Sequence, residues 1–191
     1  FIKPYIFMKN MKKTILLPFL VVIIFSSSII NVFAETMFKD NFQDPNKWEF
    51  ISDNVMGGIS IGKVQYQSDT ATLSGNVSTE NNGGFIQIRM SLDKIKLNKA
   101  KAIKLIAKGN SQKYFVHLRT TGTLLPWQYY QAEFIVEENF KEFILPIEAF
   151  KKSGSLMLKK VNPNKITSIG LVAYGRNHEA ELTIKEIEFT N

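Results

Sequence analysis

Three features of the sequence predict an all-β fold made of two packed antiparallel sheets. From Thr36 onward, short segments alternate apolar and polar residues, turn-forming clusters separate them, and almost no helical period is sustained. A sheet that buries one face asks for a period of two, where a helix asks for 3.6. Taken in order, residues 63–67 (KVQYQ) alternate, 71–77 follow as a second strand, and 85–90 (FIQIRM) place Ile86, Ile88 and Met90 on one face. Before that third strand, Asn81-Asn82-Gly83-Gly84 is a sequence suited to positive φ. Further strands are read at 102–107, 114–119, 129–136, 140–145, 168–173 and 180–189, while 147–152, behind Pro146, reads as a single helical turn. About nine or ten strands at this spacing are economically packed as a sandwich.

Residues 1–34 read differently. Lys3, Lys9, Lys12 and Lys13 precede an apolar run, ILLPFLVVIIF at 15–25, followed by three serines and Val32-Phe33-Ala34. This is the layout of a secretory signal helix cleaved after Ala34, with Met11 as the expected start. The run is shorter than the ~20 residues a membrane span needs, and it contains Pro18. The expected location is therefore secreted or periplasmic, with an uncleaved N-terminal anchor as the alternative. Once the leader is cleaved no stable membrane insertion is expected, and residues 35–191 form the single expected domain.

Without the leader's four lysines, 20 basic residues face 17 acids, a net charge of +3 instead of +7. The high pI thus belongs largely to the leader, and no nucleic-acid partner is expected. The remaining cluster, Lys94, Lys96, Lys99, Lys101, Lys104 and Lys108, reads as a solvated rim guarding strand edges. The chain has no cysteine, which excludes disulfides, thiolate metal sites and a cysteine nucleophile. A domain of this size buries about 70% of its extended-chain surface and holds together without such staples.

The order of Phe42, Asp44-Pro45 and Trp48, then DNVMGGIS (53–60), then LSGNVSTENNGGFIQIRM (73–90), resembles the complex I intermediate-associated protein 30 family. Later pieces agree: YFVHLRT at 114–120, YYQAEF at 129–134, FILPIEAF at 143–150 and ITSIGLVAYG at 166–175. The resemblance implies a galactose-binding-like jelly roll and a noncatalytic role, since mitochondrial members act as assembly factors or chaperones for respiratory complex I. The leader departs from that pattern, being lysine-rich and apolar where a transit peptide is amphipathic. Some family relatives are joined to a dinucleotide-binding domain; none is expected in this sequence, where no G-x-G-x-x-G is present.

Overlapping the end of DNVMGGIS, Gly58-Ile59-Ser60-Ile61-Gly62 matches the G-x-S-x-G elbow of serine hydrolases, and His178 follows in the order a triad needs. The elbow joins a strand to a helix, whereas the residues after Gly62 alternate as a strand, so a Ser60 hydrolase is the most distant reading. The preferred reading is geometric: Asp53 and Asn54 close a turn, Gly57 and Gly58 take positive φ, and Ser60 caps exposed amides. If this loop and the 81–84 loop lie at one end of the sandwich, Asp53, Asn54, Asn81 and Asn82 would present hydroxyl-binding groups. The only histidines, His117 and His178, lack metal-site spacing, and His117 is expected to face solvent or a groove. Calcium, held near the termini in many galactose-binding-like domains, would fall to Asp40, Asp44 and Glu188, but spacing alone does not converge them and no metal or cofactor is expected.

The run LPWQYY (125–130) offers Trp127 and Tyr129 to one face of a strand and Tyr130 to the other, with core packing as the plainer explanation. Arg89 and Arg119 each alternate with apolar residues and are expected on one polar sheet surface. The expected function is an exported, noncatalytic binding module that grips a protein partner through Arg89, Arg119, Trp127 and Tyr129, with the glycine loops at the rim. The alternative is a complex sugar bound on the same aromatic and arginine face.

Overall fold

The computed structural model describes residues 35–191; the expected signal helix and its cleavage site lie outside the described residues. Twelve strands run through these residues, and every pairing is antiparallel. They are β1 (Thr36–Asp40), β2 (Trp48–Ser52), β3 (Ile61–Gln67), β4 (Thr70–Val77), β5 (Phe85–Ser91) and β6 (Ala102–Gly109). After them come β7 (Lys113–Thr120), β8 (Tyr130–Ile135), β9 (Lys141–Pro146), β10 (Lys151–Lys152), β11 (Ile166–Tyr174) and β12 (His178–Thr190). One sheet has the order β3-β4-β12-β6-β9, with β1 on the second half of β12; the other has the order β10-β8-β7-β11-β5-β2.

Alternation decides which face of each strand is buried. Ile86, Ile88 and Met90 of β5 point into the core with Tyr114, Val116 and Leu118 of β7 and Ile169, Leu171 and Ala173 of β11. They meet Leu73 of β4, Ile103 and Leu105 of β6, and Leu182, Ile184, Ile187 and Phe189 of β12 from the other sheet. Each fully buried Leu or Ile contributes about 1.5–3 kcal/mol. In β12 the inward parity changes from even to odd because the pairing with β6 shifts between Ile184 and Glu186, a bulge that lets a 13-residue strand keep both halves in the core. Ser68 and Asp69, with φ of 46° and 62°, form the tight left-handed turn that joins β3 to β4.

Several expectations require correction. Strands β1, β2 and β10 were not anticipated. The helical turn expected at 147–152 is a short 3-10 turn at Ile147–Ala149 that passes directly into β10. The strand expected at 129–136 starts one residue later, so Trp127 and Tyr129 lie on the approach to β8 and not along it. The lysine rim is partly paired: Lys104 bridges Glu188 at 2.6 Å, and Lys108 stands over the Phe140 ring at 5.1 Å.

Candidate functional site

The outward residues of the second sheet form a groove of about 630 Å³. Its floor comes from alternate positions of adjacent strands: Phe85, Gln87 and Arg89 on β5, Ser168, Gly170 and Val172 on β11, and His117 and Arg119 on β7. The register sets these side by side, since Gly170 pairs with both Arg89 and His117, and Val172 with Gln87. Gly170 keeps the centre low; a methyl group there would stand 2.9 Å from Gln87 Oε1. Loops raise the walls, with Val55 and Met56 and then Asn82 and Gly83 on one side and Pro126, Trp127 and Tyr129 on the other.

The wall of Val55, Met56 and Asn82 exists because Asp53 clasps two loops together. Its carboxylate is fully buried and accepts hydrogen bonds from Ser60 N at 3.0 Å, Ser60 Oγ at 2.5 Å, Gly84 N at 2.5 Å and Phe85 N at 3.2 Å. Burial pushes this carboxyl upward, but the donors from Gly84, Ser60 and Phe85 outweigh it and hold the pKa below the usual carboxylate value. Gly57 turns the chain at φ 85°, as expected, while Gly58 does not need positive φ. Gly58 and Gly83 instead let the carboxylate approach: a Cβ at either would stand 2.5 Å from an Asp53 oxygen.

Two site expectations are overturned here. Asp53 and Ser60 are both fully buried and present nothing to a ligand. Ser60 Oγ donates to Asp53 and accepts from Ser78 N at 3.0 Å; it sits on no strand-to-helix elbow and has no histidine partner, so the nucleophile geometry is absent. Asn54 and Asn81 are exposed, but only Asn82 of the asparagines lines the groove. Asp53 does bring the two glycine loops together, but of the four residues named for hydroxyl binding only Asn82 lines the groove.

Arg89, Arg119, Trp127 and Tyr129 all line the groove. Trp127 is 61% exposed. Arg119 donates from its guanidinium to the carbonyls of Thr123 (3.2 Å), Leu125 (3.0 Å) and Pro126 (3.4 Å), tying down the loop that carries Trp127. Gln128 supports the same loop, its Oε1 accepting from Leu124 N at 2.9 Å and Leu125 N at 3.2 Å. Burial and the proximity of Arg89 both lower the pKa of Arg119. Arg89 bonds Glu49 at 2.9 Å across the strand pair.

His117, expected at solvent or a groove, lies in the groove but is covered. Tyr129 stacks on it at 3.9 Å with an interplanar angle of 11°, leaving it 9% exposed with Nε2 unpartnered. Burial pushes its pKa down to about 3, and the Gln131 amide offsets this only in part. Tyr174 meets Tyr129 edge-on at 6.1 Å, and the Tyr129 phenol is shifted upward by burial and by Tyr174. Sequence reasoning missed Gln87 and Tyr174, although the parity that exposes Arg89 also exposes Gln87, and Tyr174 keeps the parity of Ser168 one residue past the strand that was read.

The calcium candidates are engaged elsewhere. Asp40 accepts from Phe42 N at 2.9 Å and Trp48 Nε1 at 3.1 Å, Asp44 caps the turn at Asn46 N at 3.1 Å, and Glu188 holds Lys104 and Thr36. No group of three His, Cys, Asp or Glu residues suited to a metal ion occurs among the described residues.

The antiparallel sandwich has counterparts among solved structures of carbohydrate-binding modules. The family 11 carbohydrate-binding module from Clostridium thermocellum, solved in complex with a beta-1,3-1,4-mixed-linked tetrasaccharide, superposes with a TM-score of 0.63 at 15% identity, covering 82% of this chain and 95% of that one. The family 11 module of the cellulosomal cellulase Lic26A-Cel5E of the same organism gives 0.63 at 15% identity over 84% and 96%. An agarase aligns with a TM-score of 0.57 at 8% identity, covering 82% of this chain and 26% of the enzyme. At such identities the likeness establishes the fold. By sequence, the chain belongs to the Complex I intermediate-associated protein 30 (CIA30) family, whose profile matches residues 36–184. No curated protein matches the chain significantly.

Proposed function

We propose that the protein is an exported, noncatalytic binding module whose groove takes a segment of a carbohydrate chain. The observation that carries this reading is the groove itself, where an exposed indole, Trp127, stands over a floor bearing Gln87, Arg89 and Arg119. A flat aromatic surface stacks on the apolar face of a sugar ring, and fixed amide and guanidinium groups orient its hydroxyls. The similarity to the family 11 modules supports the choice of ligand class. The protein should bind soluble polysaccharides in calorimetry or affinity electrophoresis, and Trp127→Ala should weaken binding at least tenfold. Absence of binding across β-glucans, galactans and uronate polymers would overturn the reading.

A second reading, a protein partner and an assembly-factor role, is favoured by a different observation and by the family name. Val55 and Met56 on one wall and Leu124 and Leu125 beyond the other are exposed apolar side chains, a composition that suits a protein interface more than a sugar. A charged substitution at Leu124, which is exposed and lies outside the groove lining, would abolish a protein contact there while sparing sugar binding, so this variant and Trp127→Ala together separate the two readings.

A further inference from the structure

The aromatic groove does not end at its arginines. Beyond them a second depression of about 620 Å³ opens on the same sheet, lined by Lys47, Glu49, Ser91, Asp93 and Thr167. The two depressions share Arg89, Arg119 and Ser168, so the cleft runs from an aromatic half, across a pair of guanidinium groups, into a polar half.

The pair is electrostatically incomplete. Among the described residues, no carboxylate lies within 4 Å of the Arg119 guanidinium, and the oxygens that hold it are neutral carbonyls of its own loop. Arg89 has Glu49, but that carboxylate is 65% exposed, and an exposed pair of this kind contributes about 0–1 kcal/mol. Two cations are thus held as neighbours, one half-buried and without a counter-charge. Of the other charged groups facing the cleft, Lys47 is drawn to Asp40 at 3.5 Å, and Asp93 accepts from Ser91 Oγ at 3.0 Å. A planar carboxylate or a tetrahedral sulfate placed between two guanidinium groups receives charge-assisted hydrogen bonds from both. A neutral sugar leaves the repulsion between them standing.

We infer that the polysaccharide bound in this cleft is anionic, with a uronate carboxylate or a sulfate ester seated between Arg89 and Arg119 while the neighbouring ring stacks on Trp127. The inference rests on the carbohydrate reading and narrows it to acidic chains. It also accounts for the position of the arginines, at the junction of the two halves, where one charged substituent is bracketed by sugar units on both sides.

The test compares chains that differ only in charge. Polygalacturonate is measured against its methyl ester, and a sulfated galactan against its desulfated form, on the purified protein by calorimetry. The acid should bind about tenfold or more tightly than its neutral partner in at least one pair, which also identifies the anion. The preference should shrink as salt rises from about 0.01 M to 1 M, because the pair is open to screening. Arg89→Gln, which leaves the loop contacts of Arg119 in place, should bring the acid-to-ester ratio toward one. If esters and acids bind equally and without salt dependence, the anionic inference fails while the carbohydrate reading stands. If neither form of either polymer binds while a β-glucan does, the anionic inference fails and the carbohydrate reading stands; if no β-glucan binds either, both fail. The wild-type ratio decides the matter even if the variant does not fold.

Discussion

A single carboxylate sets the shape of one groove wall. Asp53 gathers donors from residues 60, 84 and 85, and its lowered pKa makes the clasp sensitive to acid. A group whose folded pKa is depressed contributes fully above its unfolded value, here 3.8, and loses that contribution as pH falls through the folded value. Asp53→Asn should cost about 3 kcal/mol in urea unfolding at neutral pH, because its amide turns a donor toward donors. Gly83→Ala should also destabilise. Its cost should fall by about 1 kcal/mol in an Asp53→Ala background, since the oxygen 2.5 Å from the new methyl has gone; additive costs would show that Asp53 does not impose the glycine. His117 gives a second acid dependence of different origin. Its pKa of about 3 lies below the unfolded value of 6.5, so the unfolded chain takes up a proton before the folded one does, and stability falls as pH drops below 6.5. Between pH 7.5 and 5.5 the loss should be about 1.4 kcal/mol greater in the wild type than in His117→Gln.

At the scale of the element, the loop between β7 and β8 decides whether Trp127 is presented. Two side chains hold it from below: Arg119 through three carbonyls and Gln128 through two backbone amides. Gln128→Ala should speed hydrogen exchange at Leu124 and Leu125 and weaken ligand binding several-fold, with the strands themselves unaffected; unchanged exchange would assign the order of the loop to Arg119 alone. The strands were readable where both neighbours demanded alternation, as in β5, β7 and β11, and the parity that buried Ile88 correctly turned Arg89 outward. β2 escaped notice because WEFIS is short, pairs on one side only and shows no clean alternation. Trp127 and Tyr129 were placed on a strand that had not yet begun, although a loop tied to Arg119 carries them to the same groove. The role of Asp53 was hidden for a simpler reason: two of its partners, Gly84 and Phe85, lie 31 and 32 residues away.

For the whole molecule, the core that gives stability and the face proposed to bind ligand lie on opposite sides of the second sheet. The inner faces of both sheets form one apolar core, and the outer face of one sheet carries the groove. Ile187, fully buried on β12 of the opposite sheet, touches only the first function. Ile187→Ala should cost about 2–5 kcal/mol. In a domain of this size each kcal/mol lowers Tm by about 2–4 °C, so a fall of roughly 10 °C is expected, with ligand affinity measured well below Tm unchanged. Trp127→Ala should do the reverse, because removing an exposed side chain alters stability by only about 0.5 kcal/mol while it strips the groove of its stacking surface. Both variants are read by the same two measurements, thermal unfolding and calorimetric binding. If Ile187→Ala weakened binding as much as Trp127→Ala, the groove would depend on the opposite sheet, and the sandwich could not be treated as a rigid support for one binding face.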